Sequence, residues 1–193
     1  MNVLMLFDEL QQLLHPYGFW MVVLFAFLHP LTENPWSFFT LSLALTVLGA
    51  PLGYTAIALG LAIGIGCLYV IAHAINRWSK YRLLEKNISK RVLDWIVATD
   101  TWRHIVVIGL PAVPTYPIKL ALPFSRMTFR RYALTLAGSY LFLYAANTAL
   151  YYGIFGFVRD TIPNWVSVVL LMLFALYIYF GQTMRKKLRK SNI

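Results

Sequence analysis

Three stretches of this chain are long and apolar enough to cross a lipid bilayer: 53–76 ("GYTAIALGLAIGIGCLYVIAHAIN"), 132–156 ("YALTLAGSYLFLYAANTALYYGIFG") and 164–182 ("NWVSVVLLMLFALYIYFGQ"). A hydrocarbon core about 30 Å thick takes roughly 20 residues of helix to cross. Only a helix or a closed barrel satisfies its own backbone polar groups there. Runs of this length restrict the chain to an all-α membrane protein. Composition agrees: 60% of the 193 residues are hydrophobic and 12% charged, whereas a soluble domain carries about 25% charged residues. The expected location is the cell membrane, crossed several times.

Two further apolar stretches are interrupted. "HPLTENP" divides the run between Tyr17 and Pro51 into a front piece, 17–29, and a back piece, 35–49. Each piece makes only about 20 Å of helix. The stretch 109–123, "GLPAVPTYPIKLALP", holds four prolines and a lysine. Proline removes a backbone donor and clashes with the preceding turn, so no unbroken spanning helix accommodates this spacing. Pro35, Pro111, Pro114 and Pro117 are therefore read as structural breaks, in re-entrant segments near 35–49 and 105–123. The crossings are then 17–31, 53–76, 132–156 and 164–182, within a membrane domain over 17–182. Residues 1–16 lack the basic start of a signal peptide and read as a separate amphipathic segment, with Leu6, Leu10, Leu13 and Leu14 opposite Asp8, Glu9 and Gln12.

Charge orients this arrangement. Lysines and arginines gather in 76–104, at Arg126, Arg130 and Arg131, and in the basic tail, 183–193. Short basic segments beside apolar spans mark the cytoplasmic side. With four crossings and two re-entrant segments, all of the seventeen Lys and Arg residues except Lys119 and Arg159 fall on that side, and both termini are expected to be cytoplasmic. The net charge of +10 is thus a topology signal with some contact to anionic lipid, and no nucleic-acid partner is expected. A broken segment followed by a long helix occurs twice in opposite orientation. The expected fold is an inverted repeat of two re-entrant helical hairpins plus about four transmembrane helices, an architecture of secondary transporters.

Two clearly ionisable side chains fall inside the predicted membrane region, Glu33 and Lys119. Such residues are functional candidates because burying their charge in lipid is expensive. Glu33 reads either as an interfacial acid or as a proton- or cation-binding group paired with His29. Lys119 either snorkels to the headgroups or anchors a phosphate. No His, Cys, Asp or Glu residues show metal spacing, and no nucleophile elbow or phosphate loop is present. The chain is therefore not read as an enzyme, and neither metal nor cofactor is expected. The single cysteine, Cys67, reads as inert packing. Gly60-x-x-x-Gly64 and Gly49-x-x-x-Gly53 let helices approach closely, within the fold or in a homodimer. Asn147 is a mid-helix polar group that needs a partner.

Residues 110–153, "LPAVPTYPIKLALPFSRMTFRRYALTLAGSYLFLYAANTALYYG", resemble the second half of the DedA family, also called the SNARE-associated Golgi or VTT-domain family. The features that carry the resemblance are Pro111 and Pro114 in a proline-rich turn, then Arg126, Met127, Phe129, Arg130, Tyr132 and Gly138. Residues 17–77 are similar to the family's first hairpin and Gly/Ala-rich helix. In the family an acid usually follows a proline pair in that hairpin, whereas Glu33 precedes Pro35 here. The resemblance implies a transporter that moves a lipid phosphate, polyprenyl phosphate or phospholipid, between leaflets. It implies membrane lipids as partners; the residues suit this reading, with Lys119, Arg126 and Arg130 as candidate phosphate-facing residues and Glu33 and His29 as candidates for proton coupling. A small-molecule or drug/proton exporter and a non-transporting scaffold are the alternatives.

Overall fold

The computed structural model describes the backbone of residues 3–32, 37–78, 101–110, 116–122, 127–159 and 162–190. Among the described residues nearly all are helical and none forms a strand. In chain order the helices are α1 (Val3–Leu31), α2 (Ser37–Leu43), a π-helical segment (Ala44–Leu48), α3 (Gly49–Trp78), α4 (Thr101–Gly109), α5 (Tyr116–Ala121), α6 (Phe129–Arg159) and α7 (Asn164–Lys190). Three helical stretches among these are long and apolar enough to cross a membrane: one within Ser37–Ala74, Phe129–Val158 and Asn164–Lys186. They make this an all-α chain suited to a membrane. Helix α1 runs unbroken through residues 16 and 17. Its apolar part, Tyr17–Leu31, falls in a shorter class and gives only about 22 Å of helix. The chain divides into two compact units, residues 1–64 and 65–193.

In the first unit the chain reverses at Gly49. Its φ of 73° and ψ of 170° lie where a side chain is strained, so glycine suits the corner. Pro51 follows in the first turn of α3, where its missing N–H leaves no bond unmade. The reversal is visible in contacts. A methyl group added at Gly53 would lie 2.8 Å from the carbonyl oxygen of Ala44. Nine residues of uninterrupted helix would instead separate those positions by about 13 Å. Ser37–Leu48 also runs back along α1: Gly18 meets Val47, Phe25 meets the Phe39 ring at 5.6 Å, and His29 meets Thr40.

Helix α3 then runs in the same sense as α1. Gly60 packs on Val23 and Ala26, and four residues later Gly64 packs on Phe27 and Pro30. A methyl at Gly60 would lie 2.7 Å from Ala26 Cβ and 3.0 Å from the Phe27 amide. Only glycine allows backbones this close. This corrects the sequence-derived path, in which 17–31 and 53–76 are consecutive crossings of opposite direction. Charge had no hold on that choice, since no Lys or Arg precedes Arg77. The close packing of small residues decides it.

The second unit repeats the local pattern. Gly138 of α6 faces Ile105 of α4, and Gly109 faces Phe142, so α4 and α6 also run in the same sense. Thr128 caps α6: its hydroxyl accepts from the Arg131 amide at 3.4 Å, satisfying one of the free donors of the first turn. Helix α7 returns antiparallel to α6. Gly153 meets Leu171, Gly156 meets Ile162, and the Phe142 and Tyr177 rings are 5.6 Å apart. Tyr69 of α3 touches Phe129 and Tyr132 at 5.1 and 5.2 Å. The glycines at 53, 60 and 64 are therefore buried inside the fold and are spent on packing within the chain.

Candidate functional site

Lys119 lies on α5, a six-residue helix between two proline-bearing stretches, and is only 2% exposed. Its neighbour Ile118 packs against the apolar cluster of Val107 and Leu110 on α4, as do Tyr177 and Met184 of α7. With Ile118 turned to α4, the Lys119 side chain is directed to α6. There its Nζ stands 5.2 Å from the ring centroid of Tyr140, itself buried. An ammonium over an aromatic face gains roughly 0.5–2 kcal/mol, most where water is excluded.

That face of α6 is rich in polar side chains around the buried Leu136. Tyr132, Thr135, Ser139, Tyr140, Tyr144, Asn147 and Tyr151 are all buried and recur at helical spacing, so they form one stripe. Thr135 and Ser139 donate to carbonyls one turn back, at 2.8 and 2.7 Å, so their hydroxyls are satisfied locally. The Tyr132 hydroxyl is buried with no hydrogen-bond partner. A helix long enough to span a membrane thus turns tyrosines and an asparagine inward, beside the positive charge of Lys119. Sequence reasoning identified Lys119 and Asn147 but missed the tyrosine stripe. Its signal was the spacing of Tyr132, Tyr140, Tyr144 and Tyr151 inside an otherwise apolar run.

The remaining expected site residues are placed as follows. His29 is 1% exposed, on α1, with Nε2 3.4 Å from the Thr40 hydroxyl of α2. It bridges the two arms of the first unit's hairpin. Arg130 is exposed in the first turn of α6, ten residues or about 15 Å of rise before Tyr140, so it does not join Lys119. Its neighbour Arg131 donates from Nε to the Thr101 hydroxyl at 3.0 Å. Glu33, Pro35, Pro111, Pro114 and Arg126 lie outside the described residues, and Pro117 is described only as backbone in α5. His104 of α4 is fully buried and had not been singled out from sequence. Among the described residues no three His, Cys, Asp or Glu side chains converge as a metal site.

Tyr177 of α7 ties the second unit together by donating its hydroxyl to the Gly109 carbonyl at 2.6 Å. Gly109 ends α4, and the last carbonyls of a helix lack partners of their own. No family model, curated protein or solved structure matches this chain.

Proposed function

We propose that this protein is a membrane transporter of the DedA type that moves a lipid phosphate between leaflets. The observation that carries the reading is Lys119, buried against the Tyr140 ring in a chain suited to a membrane. A cation kept inside such a domain is expensive, and the most direct use for it is an anionic headgroup. The polar stripe of α6 supplies hydrogen bonds for the same headgroup, and the hydrocarbon tail stays in lipid. The resemblance over 110–153 supports the assignment. Glu33 and His29 carry the proposed proton coupling, and Arg126 the proposed approach of phosphate.

The matching local pattern of the two units, an arm running parallel to a long glycine-bearing helix, supports the repeat of two hairpins. The proposed count of crossings is three rather than four: α3, α6 and α7, with α1 and Ser37–Leu48 forming a hairpin against the first part of α3. Charge orients these so that 76–104 and the C-terminal tail are cytoplasmic. Three crossings then leave the N-terminus on the opposite face, not in the cytoplasm. That face accepts it without penalty, because the first 76 residues carry no Lys or Arg.

The test is reconstitution into liposomes with labelled polyprenyl phosphate or phospholipid. Wild-type protein and Lys119→Arg transfer label between leaflets, and Lys119→Ala does not while remaining folded. Transfer by Lys119→Ala at the wild-type rate overturns the reading.

A further inference from the structure

A second lipid-compatible feature lies on another face of the second unit. Between α4, α6 and α7 runs a groove of about 460 Å³ lined by Val106, Leu110, Phe142, Ala146, Tyr177 and Phe180, among others. Alanines 145, 146 and 149 of α6 leave the room, opposite larger side chains of α7. The volume is in the range of small-ligand sites. Every lining residue is apolar except Tyr177, whose hydroxyl is committed to the Gly109 carbonyl. The groove offers nothing to a polar guest.

Its two ends differ in charge. Tyr177, Gly109 and Phe142 mark one level, since they touch one another. Moving back along α6, Arg131 comes about 16 Å below that level. Back along α4, Arg103 comes about 9 Å below, and forward along α7, Arg185 about 12 Å below. Arg131 is bonded to Thr101, at the start of α4, which confirms that these ends lie side by side. Arg103, Arg130, Arg131, Arg185 and Lys186 are all exposed there, and Arg103 lies over the exposed Trp102 ring at 5.3 Å. Tryptophan and arginine together are typical of a membrane–water boundary. Toward the opposite end, residues 150–172 carry only Arg159 and Asp160, adjacent and of opposite sign, so that end has no net charge.

We propose that this groove holds one hydrocarbon chain of an anionic glycerophospholipid whose phosphate rests on the basic end. The occupant follows from the charge pattern: an apolar slot about 10 Å long, lined from Phe142 to Ala149 of α6, with cations beyond one end. The site is separate from Lys119, which faces the Tyr140 side of α6, and does not depend on the transport reading.

The test uses the full chain in nanodiscs of equal phosphatidylglycerol and phosphatidylcholine, released for native mass spectrometry. Phosphatidylglycerol is retained in preference to phosphatidylcholine. Arg103→Gln with Arg185→Gln reduces that preference by about fivefold per charge removed, the usual contribution of a basic residue near a membrane surface. Ala146→Phe fills the groove and removes retention of both lipids. Equal retention of the two lipids by the wild type overturns the proposal, a result that needs no variant to fold. So does unchanged retention in Ala146→Phe, or loss in Lys119→Ala as great as in Ala146→Phe. A dimeric wild type that Ala146→Phe makes monomeric, with lipid retention unaltered, assigns the groove to a second copy of the chain instead.

Discussion

Glycines 60 and 66 occupy one helix, six residues apart, and the structure assigns opposite outcomes to the same substitution at each. At Gly60 a methyl group would lie 2.7 Å from Ala26 Cβ and 3.0 Å from the Phe27 amide, and would also meet the Val23 carbonyl oxygen. Ordinary contact begins near 3.4 Å, and most of what the methyl meets is backbone, which cannot rotate away. Helix α1 must therefore move off α3 by most of an ångström. A gap of that size forfeits a quarter to a half of each dispersion contact along the interface, and overpacking of this kind costs about 1–3 kcal/mol. Replacing a helical glycine with alanine returns at most about 1 kcal/mol. Gly60→Ala is thus destabilising by roughly 1–2 kcal/mol. At Gly66 nothing lies within 4 Å of the added carbon, so only the helix term acts and Gly66→Ala is neutral to stabilising by up to about 1 kcal/mol. The assay is reversible unfolding of both variants in detergent, followed by circular dichroism. A Gly60→Ala protein as stable as Gly66→Ala refutes the close parallel packing of α1 on α3, and with it the revision to three crossings.

Three further outcomes are expected. With Cys67 replaced by serine and single cysteines introduced, position 5 labels from outside and position 190 only after the membrane is opened; labelling of both from the same side refutes the three-crossing topology. Tyr177→Phe leaves the terminal carbonyl of α4 short of its donor and destabilises by about 1–3 kcal/mol, read as a lowered unfolding midpoint; an unchanged midpoint removes that bond from the account. Glu33→Gln flattens the pH dependence of lipid transfer while leaving the unfolding midpoint within about 0.5 kcal/mol; transfer with the wild-type pH profile takes Glu33 out of the coupling.

The sequence alone determined the class of this protein and the positions of its long helices. The runs at 53–76, 132–156 and 164–182 reappear inside α3, α6 and α7, because backbone polar groups in lipid leave no alternative to a helix once an apolar run reaches bilayer length. The prolines likewise announced interruptions, though Pro35, Pro111 and Pro114 fall outside the described residues. Lys119 was legible for the same reason: a charge in an apolar run is conspicuous whatever surrounds it. Direction was not legible. Whether α3 runs with α1 or against it depends on how Gly53, Gly60 and Gly64 seat on Ala44, Val23, Ala26 and Phe27, contacts up to 37 residues distant in sequence. Apolar periodicity carries no record of such pairings. The tyrosine stripe was equally hidden. Tyrosine serves membrane boundaries and interiors alike, and only the packing of α6 decides that Tyr140 faces an ammonium while Tyr152, five residues beyond Asn147, remains exposed.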